Sequence, residues 1–316
     1  MPTRLPFHHQ MPIQTSRGHA VRATRWQAPW QIFAGNRVGQ IGLGLVALFG
    51  LMALTHPILM ATVWDRPTYH PLVGFDYQIV PHPTPPSFSH LLGTDAMGRD
   101  VLSQLLYATG TSFGLGIVAG IVATSIATLL GMLSAHFGGW VDTIVMGLSD
   151  AFVLMPAPIV LLVIGLLIDL GWLEVGLLFG VFAGFGAMTI IAKTYALSIK
   201  VKPFVEAAKM AGGSGFYVLR VHYLPNMLSF MFVNMMFVIT QSVLIEALLS
   251  FFGRTRLRMS WGTMIWFTQS TFRLSAYGEQ WHAILPPVLA IMTFCGAFYM
   301  VGRALDEVVN PRLLKR

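Results

Sequence analysis

The chain has 316 residues, of which 55% are hydrophobic and 10% charged, and its formal net charge is +7. One soluble core could not bury so much apolar surface, so the composition predicts a membrane protein, and the basic excess is no indication of a nucleic-acid partner. The single cysteine, Cys295, excludes an intrachain disulfide and a cysteine metal cluster.

Six stretches have the length and apolar character of a membrane span, which needs about 20 mostly apolar residues. They lie near residues 41–61, 113–135, 144–168, 173–192, 227–249 and 283–302. They predict an all-α membrane protein with six transmembrane helices. Basic residues precede the first stretch, flank the loop before the fifth and follow the sixth. Because cytoplasmic loops are enriched in Lys and Arg, both termini and that loop are expected to be cytoplasmic.

The chain divides at its first span. Residues 1–40 are expected to form a basic cytoplasmic tail, in which Trp26, Trp30 and Phe33 share one face of an interfacial helix. The first transmembrane helix, residues 41–62, follows as an uncleaved anchor, because no small-residue cleavage site is evident.

Residues 63–109 are predicted to be an extracytoplasmic loop and a short helix. The prolines in this segment forbid a regular helix or an interior strand, and they are Pro81, Pro83, Pro85 and Pro86. Asp95 is a credible N-cap for the short helix, which would run toward Tyr107. Three histidines, His70, His82 and His90, are interpreted as scattered loop residues, and no metal site is predicted.

Residues 110–316 are predicted to form a five-helix core that contains several polar side chains within apolar spans. Asp150 is interpreted either as a substrate contact or as an anchor of helix packing. Asn234 and Gln241 share one helical face and Glu246 lies further along the same span. These three are candidates for lining a polar path, with interhelical hydrogen bonding as the alternative.

The loop of residues 201–226 is polar and broken by glycine between long apolar runs. Pro203 suits the first turn of a helix, and Glu206 lies where the helix dipole favours an anion. Gly212 ends that helix, Ser214 can cap a second short one, and Pro225 is expected to mark the start of the next apolar segment. Small side chains along the first helix would let a groove of another protein approach closely.

This loop resembles the EAA signature of the membrane permeases of bacterial ABC importers. The match consists of Glu206, Ala207, Ala208, Gly212, Leu224 and Pro225, and with His222 it resembles the branch that imports peptides and nickel. Leu92-Gly93-Thr94-Asp95 with Gly98-Arg99-Asp100 is similar to the segment ahead of the second span in the C-type subunit of peptide importers. The resemblance covers roughly residues 38–316.

The resemblance implies the type I ABC importer permease fold in the bacterial inner membrane. It also implies a B-type permease subunit, two cytoplasmic ABC ATPase subunits, an extracytoplasmic solute-binding protein and membrane lipid as partners. The EAA loop would be the coupling helix that sits in a cleft of the ATPase. ATP and Mg would be used by the partner ATPases, and no cofactor is expected on this chain. The substrate would be a peptide or a related small solute.

One segment departs from the family pattern. Where relatives carry a link rich in Gly and Pro, this chain has Arg254, Arg256 and Arg258, which the six-span topology places outside the cell. These arginines are interpreted either as an attraction for an anionic substrate or an acidic docking protein, or as contacts with lipid phosphates.

Several functions are excluded or left as alternatives. No Gly-Lys dipeptide occurs, so a GxxxxGK[ST] phosphate-binding loop is impossible, and no HExxH motif indicates a metalloenzyme. The alternatives to an importer permease are an ion-coupled secondary transporter, with Asp150 and Glu246 as proton carriers, and a non-transporting membrane scaffold.

Overall fold

The computed structural model describes residues 33–79, 82–251, 259–271 and 280–309. Within these ranges the chain forms helices and loops, and no strand occurs beyond the isolated bridge of Thr94 with Asp100. The helices are α1 (Arg37–Thr62), α2 (Arg66–Tyr69), α3 (Val101–Phe137), α4 (Gly139–Leu154), α5 (Ala157–Leu167), α6 (Trp172–Phe185), α7 (Ala187–Lys200), α8 (Pro203–Met210), α9 (Gly215–Val218), α10 (Leu224–Phe251), α11 (Trp261–Thr271) and α12 (Trp281–Val309). The interfacial helix expected in the N-terminal tail lies mostly outside the described residues.

Four helices are long and apolar enough to cross a membrane: α1, α3, the continuous helix Gly215–Phe251 and α12. The pairs α4–α5 and α6–α7 meet the same criterion only together, bent by 77° and 45°. The described residues therefore contain four candidate spans, or up to six if each bent pair is one span. The all-α membrane architecture is confirmed, although the third and fourth predicted spans are broken helices rather than single ones.

Local chemistry explains the first break, and the second lies at a glycine. Met155 adopts an extended conformation (φ −80°, ψ 118°) because it precedes Pro156, whose ring disfavours a helical residue before it. Gly186, between α6 and α7, has φ −78° and ψ −132°, a backbone conformation outside the helical region.

Helix α3 is the centre of the packing, with α6, α7 and α10 around it. Its residues Ala119, Ala123 and Ala127 are fully buried. Glycines of α6 recur every fourth residue along the facing surface, and a Cβ on Gly180 would lie 2.8 Å from the Cβ of Val122. Small residues of this kind allow the close van der Waals contact that holds membrane helices together.

Residues 64–79 and 82–100, called the cap segment here, fold against the start of α3. The prediction that Asp95 caps a short helix is wrong, because Asp100 is the N-cap and accepts a hydrogen bond from the Ser103 amide at 2.6 Å. The Asp95 carboxylate instead closes a turn, in which it accepts from the amide of Arg99 at 2.9 Å and the side chain of Gln104 at 2.8 Å. The expected short helix is the first part of α3, which continues unbroken into the span.

The histidines of the cap segment are ordered parts of its structure rather than scattered residues. His90 is fully buried, with Nδ1 2.8 Å from Asp100 Oδ2 and Nε2 3.2 Å from Asp76 Oδ2. Carboxylates only accept hydrogen bonds, so this arrangement favours an imidazolium that donates from both nitrogens. The hydrogen bond to Asp100 is the main cause that raises the pKa of His90. The pKa of Asp76 is lowered, chiefly by the Gln78 amide and further by His90.

Gly180→Leu is expected to destabilise the protein by about 1 to 3 kcal/mol, because the larger side chain overpacks the closed contact between α3 and α6. Gly147→Leu is the matched control, since a Cβ on this glycine of α4 meets nothing within 4 Å. Thermal unfolding of both variants in detergent would measure the difference. Equal midpoints for the two variants would contradict the packing argument.

The cap segment is expected to be most stable in mildly acidic solution. The raised pKa of His90 means that its contribution is complete below its ordinary value of 6.5 and is lost as the pH rises through the folded value. The lowered pKa of Asp76 means that its contribution is complete above its ordinary value of 3.8 and is lost as the pH falls through the folded value. Amide exchange of residues 64–100, corrected for intrinsic rates, should therefore be slowest between these two ordinary values.

His90→Gln should remove the loss of protection on the alkaline side, because glutamine does not titrate. His222→Gln, a change in a distant loop, serves as the control and should keep the wild-type profile. If the His90→Gln variant loses protection with rising pH as the wild type does, the assignment is refuted.

Candidate functional site

The loop of residues 201–226 folds as helix, glycine turn and helix, which confirms the local prediction. Helix α8 begins at Pro203 and carries Glu206 in its first turn. It ends in a Schellman motif, in which Gly212 has φ +81° and the Gly213 amide donates to the Ala208 carbonyl at 2.9 Å. Ser214 caps the next helix by accepting from the Tyr217 amide at 3.3 Å.

The second helix is not the short, separate piece that the sequence suggested. Helix α9, a π-helical turn at Leu219–Tyr223 and α10 form one continuous helix, so Pro225 lies inside it rather than at its start. The Leu224 amide bonds the Leu219 carbonyl five residues back. A proline lacks an amide hydrogen and its ring clashes with the carbonyl four residues earlier, and the wider π turn directly before Pro225 accommodates it.

Buried side chains attach this loop to the end of α3. Val205 and Tyr223 are fully buried and belong to the same apolar cluster as Ala135 of α3. The Lys200 ammonium donates to the Ala135 carbonyl at 2.6 Å, where the last carbonyls of α3 lack helical partners. Gly215 lies so close to His136 that a Cβ there would be 2.9 Å from Nε2.

The opposite side of the loop is exposed and defines a surface, called the α8 surface here. Its members are Phe204, Glu206, Ala207, Met210 and Phe216, all exposed. Met210 and Phe216 are 85% and 72% exposed, and together with the exposed Phe204 they form an apolar group on this surface, which is typical of a contact with another protein.

The predicted signature residues divide between this surface and its support. Glu206, Ala207, Gly212 and Pro225 are exposed, whereas Ala208, His222 and Leu224 are half-buried. The ring of His222 lies between those of Phe204 and Tyr217, with both centroid distances 5.8 Å. The sequence analysis did not single out Met210 and Phe216, although large apolar side chains in a polar loop between spans were a usable signal.

The polar residues of α10 differ in environment. Asn234 is half-buried and donates from Nδ2 to the Phe230 carbonyl of its own helix at 3.0 Å, while Gln241 is exposed. Glu246 is fully buried, and its Oε1 accepts from the hydroxyls of Ser250 and Ser260, both at 2.6 Å. Glu246 thereby joins α10 to the residue that precedes α11.

Asp150 is exposed on α4 and makes no hydrogen bond or ion pair within the described ranges. The structural carboxylate of this helix is instead Asp142, which the sequence analysis missed. Its Oδ1 lies 2.5 Å from the Lys193 ammonium and accepts from the Ser134 hydroxyl at 2.5 Å. These bonds link α4 with α7 and α3. The external candidates Arg254, Arg256 and Arg258 lie outside the described residues.

The amino-acid sequence is similar to a family of transport proteins and to several permeases. Residues 127–315 match the family described as binding-protein-dependent transport system inner membrane component. The glutathione transport system permease protein GsiD of Pectobacterium atrosepticum is 28% identical over 299 residues, which cover 94% of each chain. A putative peptide transport system permease protein of Brucella suis is 30% identical over 237 residues, 72% of this chain and 76% of that protein. A putative peptide permease protein of the same species is 30% identical over 269 residues, 84% and 87% of the two chains.

The family match spans more than half of the chain, and it includes the broken helices, the α8 surface and the continuous helix behind it. The apolar helices and the family together make this a multi-pass protein of the inner membrane. The chain belongs to the family of binding-protein-dependent transport system inner membrane components, as a permease of an ABC importer and not an enzyme.

Proposed function

We propose that this permease forms half of the translocation pathway for peptides or a related small solute such as glutathione. The names of its relatives, which include peptide and glutathione permeases, support this substrate class. In this proposal six spans place both termini and the α8 surface in the cytoplasm. A B-type permease supplies the other half, and a solute-binding protein delivers the substrate from outside.

The observation that carries the proposal is the α8 surface: an exposed face on a rigidly attached helix. This surface would bind one of the two cytoplasmic ATPases, which use ATP and Mg. Ala207 leaves room for close approach, Met210 and Phe216 supply apolar contact, and Glu206 adds a charge that orients the partner. Basic residues around the loop support its cytoplasmic placement.

The structure offers a route by which movement of the loop reaches the membrane. Helix α9 continues through the π turn into α10, so a displacement of the α8 surface moves a single long helix. At its far end Glu246 connects that helix to Ser260. Val205 and Tyr223 couple the same loop to α3. Closure of the ATPases would therefore shift α3 and α10 together and switch the pathway between outward and inward access.

Glu206→Lys is expected to reduce uptake about tenfold, because a reversed charge at a docking surface opposes the partner's complementary charge. ATP hydrolysis by the assembled importer should continue, and the variant should still insert in the membrane. Glu174→Lys makes the same charge change on the exposed start of α6 and should leave uptake near the wild-type level. Uptake that survives Glu206→Lys unchanged would refute the docking role.

Gly212→Trp, which places a large group on the turn that follows α8, should likewise reduce uptake while ATP hydrolysis continues.

Replacing Arg254, Arg256 and Arg258 together by Ala tests whether these side chains attract substrate. If they steer anions, uptake of an acidic peptide should fall more than uptake of a neutral peptide of the same length, most clearly at low ionic strength. Competition assays with the two peptides would measure the ratio. Equal loss for both peptides would remove the steering role and favour the contact with lipid phosphates.

A further inference from the structure

A cavity of about 430 Å³ lies where α1 meets the cap segment, away from the α8 surface. Three of the residues that line it carry nitrogen donors: His56 of α1, Arg66 of α2 and His70 just after α2. The cavity has no part in the proposed transport mechanism. Its lining, with basic groups beside apolar ones, indicates a site for an anion with an apolar neighbour.

The donors are available to a ligand. The Arg66 side chain is exposed and makes no hydrogen bond or ion pair in the part of the chain that the structure describes. Asp65, its acidic neighbour, caps α2 by accepting from the Thr68 amide at 3.2 Å. The guanidinium is therefore a free, planar donor of the kind that binds phosphate with two parallel hydrogen bonds.

The two histidines complete the donor set. Nδ1 of His70 accepts from the amides of Leu72 and Val73 at 3.2 and 3.4 Å, which assigns the proton of the neutral ring to Nε2. That nitrogen is left as a donor on a residue that lines the cavity. His56 is only 8% exposed, and its Nε2 is closed to solvent and has no hydrogen-bond partner in the described ranges. A buried polar group without a partner is costly, and a rotation of the His56 ring that brings Nε2 to a bound anion would remove that cost.

The surroundings place this site at the depth of a lipid headgroup. His56 lies six residues before the end of α1, or about 9 Å at the rise of an α-helix. Pro57 and Met60 give the cavity apolar walls. Next to it Trp64 stacks on Tyr69 at 5.2 Å, and this pair of residue types is enriched at the interface between membrane and water.

We propose that this cavity binds a phosphate group, which Arg66, His70 and His56 hold by hydrogen bonds. The phosphate belongs either to a membrane phospholipid, whose glycerol and first methylenes contact Pro57 and Met60, or to free inorganic phosphate. A bound phosphate would fix the end of α1 against the cap segment. This inference is independent of the substrate and of the docking role of the α8 surface.

The test uses the full chain in dodecyl maltoside micelles, which contain no phosphate, to which either phosphatidylglycerol or diacylglycerol is added. Native mass spectrometry then counts the added lipid that each variant retains. The wild type should retain phosphatidylglycerol over diacylglycerol, which lacks phosphate. Arg66→Gln should bind phosphatidylglycerol about tenfold more weakly through the loss of charge-assisted hydrogen bonds, and His70→Gln should also bind it more weakly. Arg303→Gln, the same change on an exposed arginine of α12, should behave as wild type.

A second arm identifies the source of the phosphate. Sodium phosphate is added to the same micelles of wild type and Arg66→Gln, and protection of residues 64–71 from hydrogen exchange is measured. Protection by phosphate that depends on Arg66, together with displacement of phosphatidylglycerol, would assign the site to free phosphate. Lipid retention that phosphate does not displace would assign it to phospholipid. If Arg66→Gln and wild type retain lipid equally and phosphate protects neither, the proposal is wrong.

Discussion

The close contact of α3 with its neighbours is the constraint on which the rest of this permease depends. Lipid tails are as apolar as the helix surfaces, so burial alone gives little reason for membrane helices to associate. Alanines of α3 and glycines of α6 bring backbones together instead, and a Cβ at Gly131 would lie 2.6 Å from the Cβ of Ala192. Polar links such as Asp142 with Lys193 fix which surfaces meet.

This packing gives the loop of residues 201–226 a fixed position. In the proposed coupling role, the α8 surface could not transmit a force if its helix merely lay on the membrane. Val205 and Tyr223 bury the underside of the loop against α3, and Lys200 adds hydrogen bonds to the final carbonyls of that helix. The exposed face is therefore free for a partner, while the buried face belongs to the transmembrane core. Membership of the importer family removes the secondary transporter and the scaffold as alternatives.

The apolar spans were predictable because each is a continuous run of apolar residues. The glycine turn after α8 was predictable because the φ of +81° at Gly212 is a conformation that glycine adopts readily. The sequence pattern predicted Asp95 as the helix cap instead of Asp100, because the pattern does not show that Arg99 and Gln104 hold the Asp95 carboxylate in a turn. The pairing of Asp142 with Lys193 joins residues distant in the sequence and has no local signal. The exposed Met210 and Phe216 were visible in the sequence, but their exposure depends on how α8 and α9 pack.

Helix α3 has 37 residues, so it is about 55 Å long, whereas the hydrocarbon of a bilayer is about 30 Å thick. Placed across a bilayer, this unbroken helix would extend beyond the hydrocarbon, from the His90 and Asp100 pair at one end to the Lys200 contact at the other. If tilting of α3 distinguishes the outward and inward access states, binding of the solute-binding protein at one end is coupled to nucleotide binding by the ATPases at the other. The solute-binding protein would then change nucleotide affinity by the same factor as nucleotide changes the affinity for that protein.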